Sequence, residues 1–92
     1  MPKTLTKLNS KQQKTLEDVL KNPIAANLVW NDVESLFRAL GCQVKEGNGS
    51  RVSVVSNNTV GHFHKPHPSN ETNRGTVKSV RLFLHNAGII VE

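Results

Sequence analysis

Three histidines fall within six residues, His62-x-His64-x-x-His67, a short way after Arg51. An imidazole titrates near neutrality, so it can take up or release a proton within one reaction cycle. A guanidinium can grip a phosphate oxygen and stabilise the charge that builds there. Brought together, the two could cleave RNA. The imidazole would move the proton of a 2′-hydroxyl or of a leaving 5′-oxygen, while Arg51 held the scissile phosphate. A metal site made of His62, His64 and His67 ranks lower, because no Cys or Asp lies nearby in sequence to complete a tetrahedral set. The plainest reading makes them surface histidines, with Pro66-His67-Pro68 a stiff exit from a strand. Taken singly, that reading wins for His62 and is evenly matched for His67. The Ser50 hydroxyl and Cys42 thiol have no surrounding motif that supports a nucleophile.

Whether Arg51 and a histidine meet depends on a hairpin. Two β-prone runs, 51–56 and 59–64, flank Asn57-Asn58, residues that tolerate the positive φ of a tight turn. With a two-residue loop, Arg51 stands across from His64, Val52 from Phe63, Ser53 from His62 and Val54 from Gly61. Strand side chains alternate between faces. One face then carries Val52, Val54 and Phe63. The other carries Arg51, Ser53, His62 and His64 with Val55 and Val60. The first is a core face and the second a reaction surface, and for His64 the catalytic reading is preferred.

The rest of the chain reads as support. Residues 1–8 form a loose basic tail. Ser10 with Gln13 fits a capping box, opening a helix that stops near Lys21 before Asn22-Pro23. Residues 22–29 connect it to a second helix, with Asn31 as N-cap, Glu34 three residues on and Gly41 closing. Trp30, Val33, Leu36, Phe37 and Leu40 lie at helical spacing, which makes Trp30 and Phe37 core residues. Residues 42–46 alternate like a half-buried strand. After a polar loop at 69–73, a third helix runs from about Arg74 to Ala87, and Gly88 ends it. Its apolar face is Val77, Val80, Phe83, Leu84 and Ala87. Arg74, Lys78, Arg81 and His85 fall within about 60° of one another opposite, with no acidic residue among them, which points to phosphate contact. Ile89-Ile90-Val91 covers the core or adds a short strand. The order helix, helix, three antiparallel strands, helix predicts one α+β domain over residues 1–92, a two-layer sandwich with the helices on one sheet face.

Composition narrows the partners. The net charge of +5 over 92 residues, at a pI near 9.8, points to a polyanion. With no Tyr, one Trp and three Phe, an aromatic platform for single strands is not expected. No apolar run is long enough to span a membrane, and the polar N-terminus carries no secretory signal. A lone Cys42 cannot form an internal disulfide, so a reducing cytosol is the simplest home, with the thiol a small buried hydrophobe.

Gly49-Ser50-Arg51-Val52, then His64-Lys65-Pro66-His67-Pro68, then Gly75-Thr76-Val77-Lys78-Ser79-Val80-Arg81 and finally Ala87-Gly88 resemble the longer form of the HicA toxin family. The resemblance runs from about Lys14 to Gly88 and rests on the order and spacing of these segments together. It implies a fold like a double-stranded-RNA-binding domain, α-β-β-β-α over residues 30–91, with an added N-terminal helix. It further implies metal-free endoribonuclease cleavage of mRNA, no cofactor, a HicB-type antitoxin as partner, and the cytoplasm as location. Many short members carry their catalytic histidine directly after the Gly-Ser of the second strand, where this chain has Arg51. The hairpin register lets His64 supply that imidazole from the neighbouring strand.

The expected catalytic set is therefore His64 for acid/base work and Arg51 for phosphate binding, with His62 or His67 in support. Ser50, Lys65, Arg74, Lys78 and Arg81 are expected on the RNA. Two rivals share the charge and architecture: a non-catalytic double-stranded-RNA-binding module, and a module whose basic face binds an acidic protein.

Overall fold

Asn57 and Asn58 take φ values of 51° and 63°, the left-handed pair that a two-residue hairpin turn requires. The computed structural model of the chain describes residues 8–26, 28–66 and 70–90. Its centre is the hairpin of β3 (Arg51–Ser56) and β4 (Thr59–His64), with β2 (Gln43–Glu46) antiparallel on the other side of β3. The β3–β4 register is the expected one, from Ser56 opposite Thr59 to Arg51 opposite His64. One further bond, from the Lys65 N–H to the Ser50 carbonyl at 2.7 Å, carries the ladder past the strand end.

The alternation sorts the faces as anticipated. Val52, Val54 and Phe63 are buried, and they join Trp30, Val33 and Phe37 from α2 (Trp30–Ala39) with Val77, Val80, Phe83 and Leu84 from α3 (Arg74–Asn86) in one core. Phe63 sits within a ring cluster, 5.6 Å from Phe37 and 6.2 Å from both Trp30 and Phe83 by centroid. Such offset and edge contacts add to burial energy. Helices thus cover one sheet face and leave the other to solvent, in an α+β sandwich like that of a double-stranded-RNA-binding domain.

α1 (Ser10–Leu20) is the additional helix. Its capping box lies one residue earlier than expected: Asn9 caps with Gln12, the two exchanging bonds of 2.7 and 3.0 Å, so Ser10 is already helical. Both pairings satisfy the pattern. Tertiary structure favours Gln12, whose side-chain amide also donates to the Ser35 hydroxyl of α2 at 2.9 Å. At its other end, Arg81 of α3 donates to the Val19 and Lys21 carbonyls at 3.0 and 2.8 Å. A helix leaves its last carbonyls unsatisfied, and a cation there also meets the negative end of its dipole.

The segments 22–29 and 69–73 are more than a connector and a loop. They contain β1 (Leu28–Val29) and β5 (Glu71–Thr72), which pair antiparallel as a second small sheet. This pairing moves the start of α2. The Trp30 N–H donates to the Asn70 carbonyl at 2.8 Å, so the helix begins at Trp30 and Asn31 is not its cap. Glu34 is buried and engaged elsewhere, accepting from the Trp30 indole at 2.7 Å and from Arg38 at 3.3 Å. α3 is capped by Asn73 through the Thr76 N–H, and Gly88 ends it at a φ of 75°. Ile89 and Ile90 pack on the core without forming a strand.

At Gly61 the sheet passes close beneath Phe83 of α3. A Cβ there would come within 2.7 Å of Phe83 Cδ1 and 3.0 Å of the Phe63 ring. Overpacking of this kind costs about 1–3 kcal/mol. Gly61→Ala should lower the urea midpoint accordingly with an unchanged m-value, whereas Gly75→Ala, where the nearest atom would be 3.5 Å away, should not.

Candidate active site

In a hairpin closed by a two-residue loop, hydrogen-bonded and non-hydrogen-bonded cross-strand pairs alternate from the turn. Ser56–Thr59, Val54–Gly61, Val52–Phe63 and Ser50–Lys65 are the bonded pairs here. Arg51–His64, Ser53–His62 and Val55–Val60 are the others. Non-hydrogen-bonded partners bring their side chains closest, with Cα atoms about 4.5 Å apart. The arginine and the imidazole therefore share the tighter kind of pair, on the open face.

Ser53 Oγ lies 3.2 Å from His62 Nδ1, which orients that ring and leaves its other nitrogen outward. Arg51, His62 and His64 are all exposed. A cleft of about 500 Å³ lies over this end of the sheet, lined by Arg51, Ser53, His62 and His64 with Gly47 and Asn48 of the β2–β3 turn. The β2 partners extend the face: Lys45 is opposite Ser53 and Gln43 opposite Val55. None of these side chains is a carboxylate. The face can thus offer an imidazole beside a guanidinium to a polyanion, with no like charge opposing the phosphate.

The other expected residues fall in different places. Lys65 has the parity of Phe63, so it turns to the helix side of the sheet and pairs with Glu46 at 2.7 Å. Ser50 is half-buried on that same side, its carbonyl used by Lys65. Arg81 is occupied with the end of α1. Arg74 and Lys78 are exposed on α3, but Val77, Val80, Phe83 and Leu84 hold its opposite side against the core. Lys78, about 160° around the helix from Val80, points away from the sheet. Ser79, Leu82 and Asn86 of α3 border the hairpin edge at Val60 and His62, while Lys78 lies on the outer side of the helix. His67 lies outside the described residues. Among the described residues, no three His, Cys, Asp or Glu side chains converge as a metal site. Cys42 is buried, and burial pushes its thiol up, away from the reactive thiolate.

A family model described as the HicA toxin of bacterial toxin–antitoxin systems matches residues 30–89. The chain belongs to the HicA toxin family. No curated protein and no solved structure matches it. The matched span takes in α2, strands β2 to β5 and α3, hence every side chain of the open face, and leaves out α1 and β1. This HicA chain thus keeps its catalytic candidates inside the family domain and adds a helix behind it. None of its described helices is long and apolar enough to cross a membrane.

Lys45 was missing from the sequence-derived set. The signal was present, since Val44 and Glu46 face the helices and Lys45 must face outward, but no motif includes it.

The Glu46–Lys65 contact makes a checkable electrostatic statement. The hydrogen bond from Lys65, reinforced by its charge, holds the Glu46 carboxyl below the usual glutamate range, and the same contact raises Lys65. A depressed carboxylate adds stability above its unfolded pKa and loses it as pH falls through the folded one. Carboxyl-detected NMR should show Glu46 titrating low in the parent. In Lys65→Met it should move up toward the ordinary range.

Proposed function

We propose that this chain is the toxin of a toxin–antitoxin pair, a metal-independent endoribonuclease that cleaves mRNA in the cytoplasm and is neutralised by a HicB-type antitoxin. The observation that carries the reading is the pairing of His64 with Arg51 on a solvent-open sheet face free of carboxylates. Family membership supplies the biological setting.

In the proposed reaction, His64 takes the proton of a ribose 2′-hydroxyl, and the freed oxygen attacks the adjacent phosphorus. Arg51 binds the non-bridging oxygens, on which charge builds as the fifth bond forms, so its contact strengthens in the transition state. The bond from phosphorus to the 5′-oxygen breaks, and that oxygen receives a proton from a second imidazole. His62 is assigned that part, with His67 as its alternate. The products are a 2′,3′-cyclic phosphate and a 5′-hydroxyl, and no net proton is consumed. Each side chain acts on substrate directly, and none needs a bound ion.

Cleavage of single-stranded RNA by the purified chain in EDTA tests this. His64→Ala should keep its circular dichroism spectrum and lose about 10²–10⁴-fold in cleavage rate, the usual contribution of acid–base catalysis. Equal cleavage by parent and variant would take His64 out of the chemistry. Loss of cleavage by the parent in EDTA, with recovery on adding a divalent metal, would reject the metal-free mechanism.

A further inference from the structure

Building on the nuclease reading, we propose that the substrate is an unpaired RNA segment lying across the open sheet face, with Lys45 as its second phosphate contact. The basic stripe of α3 is left out of that path.

The face is organised in rows. Arg51 and His64 form the first, Lys45, Ser53 and His62 the second, and Gln43, Val55 and Val60 the third. Rows repeat every two residues, about 6.8 Å, and neighbouring strands lie about 4.8 Å apart. Lys45 is one strand and one row from Arg51, so their Cα atoms stand about 8 Å apart on one surface. Two long cationic side chains at that separation can take neighbouring phosphates of one extended strand. Lys45 is exposed, and its neighbours Val44 and Glu46 occupy the opposite face. The third row ends the path differently: Val55 is half-buried and Val60 is 53% exposed. Two β-branched side chains without charge offer a base an apolar seat. Neither is aromatic, so stacking adds little and binding rests on phosphates.

Width and chemistry both select a single strand. Three strands span about 10 Å between the outer axes, room for one nucleotide chain. Duplex RNA is read by shape over successive minor grooves, which calls for a longer, contoured surface. Attack by the 2′-oxygen also requires a backbone free to bring that oxygen in line with the departing 5′-oxygen, and pairing restricts this freedom. Two cations of α3 are turned from this path: Arg81 is bound to the end of α1, and Lys78 points away from the sheet.

The experiment measures binding of a labelled, unstructured oligoribonucleotide in a His64→Ala background, which keeps the RNA intact, across a range of salt. Each phosphate contact on a single strand contributes about 0.7 to the slope of log K against log salt. Lys45→Gln should reduce the slope by about that amount and weaken binding about fivefold near 0.1 M salt. Lys45→Arg should restore both, and Lys78→Gln should change neither. A matched RNA duplex should bind more weakly than the single strand. An unchanged slope in Lys45→Gln, a slope that follows Lys78 instead, or tighter binding of the duplex would overturn the inference while leaving the nuclease reading intact. No binding of RNA by the parent background would overturn both.

Discussion

A two-residue turn decides which way every side chain of the central hairpin faces. Asn57 and Asn58 accept left-handed backbone angles, and the Asn57 side chain also donates to the Ala87 carbonyl at 2.8 Å, fastening the turn to the end of α3. Because strand side chains repeat every two residues, a slip of one would send Arg51 and His64 into the core and Val52 and Phe63 into water. Fully burying such apolar side chains is worth about 1.5–3 kcal/mol each, so the core enforces the register. The arrangement of the open face follows from how the buried face packs.

That division explains why the site can be so lightly built. Among the described residues, the one side-chain hydrogen bond to Arg51, His62 or His64 is the Ser53 contact to His62. Their positions are set by backbone pairing, and the backbone is held by Phe63 among Trp30, Phe37 and Phe83. α1, outside the family match, is tied to the helix layer through Gln12–Ser35 and Arg81. It packs on α2 and α3, on the helix side of the sheet. A basic residue that a sequence pattern assigns to RNA is here the clasp for a helix end.

Much of this was legible in the chain, for reasons that can be named. The hairpin register could be read because Asn-Asn between two alternating runs leaves one loop length that buries Val52, Val54 and Phe63 together. α3 could be read from its apolar period and from Gly88. Other features depended on partners far away in sequence. Asn9-x-x-Gln12 and Ser10-x-x-Gln13 fit a capping box equally, and Ser35 decides between them. β1 and β5 are two residues each and exist only because they meet. The roles of Arg81 and Lys65 were hidden for the same reason, since helical and strand periodicity say which way a side chain points but not what it finds there.

Arg51 and His64 form a geometric unit, one cation and one imidazole facing each other in a single cross-strand pair. The most direct test exchanges them. Arg51→His with His64→Arg places the imidazole directly after Gly49-Ser50, where short HicA members carry theirs, and the guanidinium across from it. Single-turnover cleavage in EDTA should be largely retained by the exchanged protein, while His64→Arg alone is inactive. An exchanged protein that folds normally yet cleaves no better than His64→Arg would contradict the claim that this pair carries the chemistry.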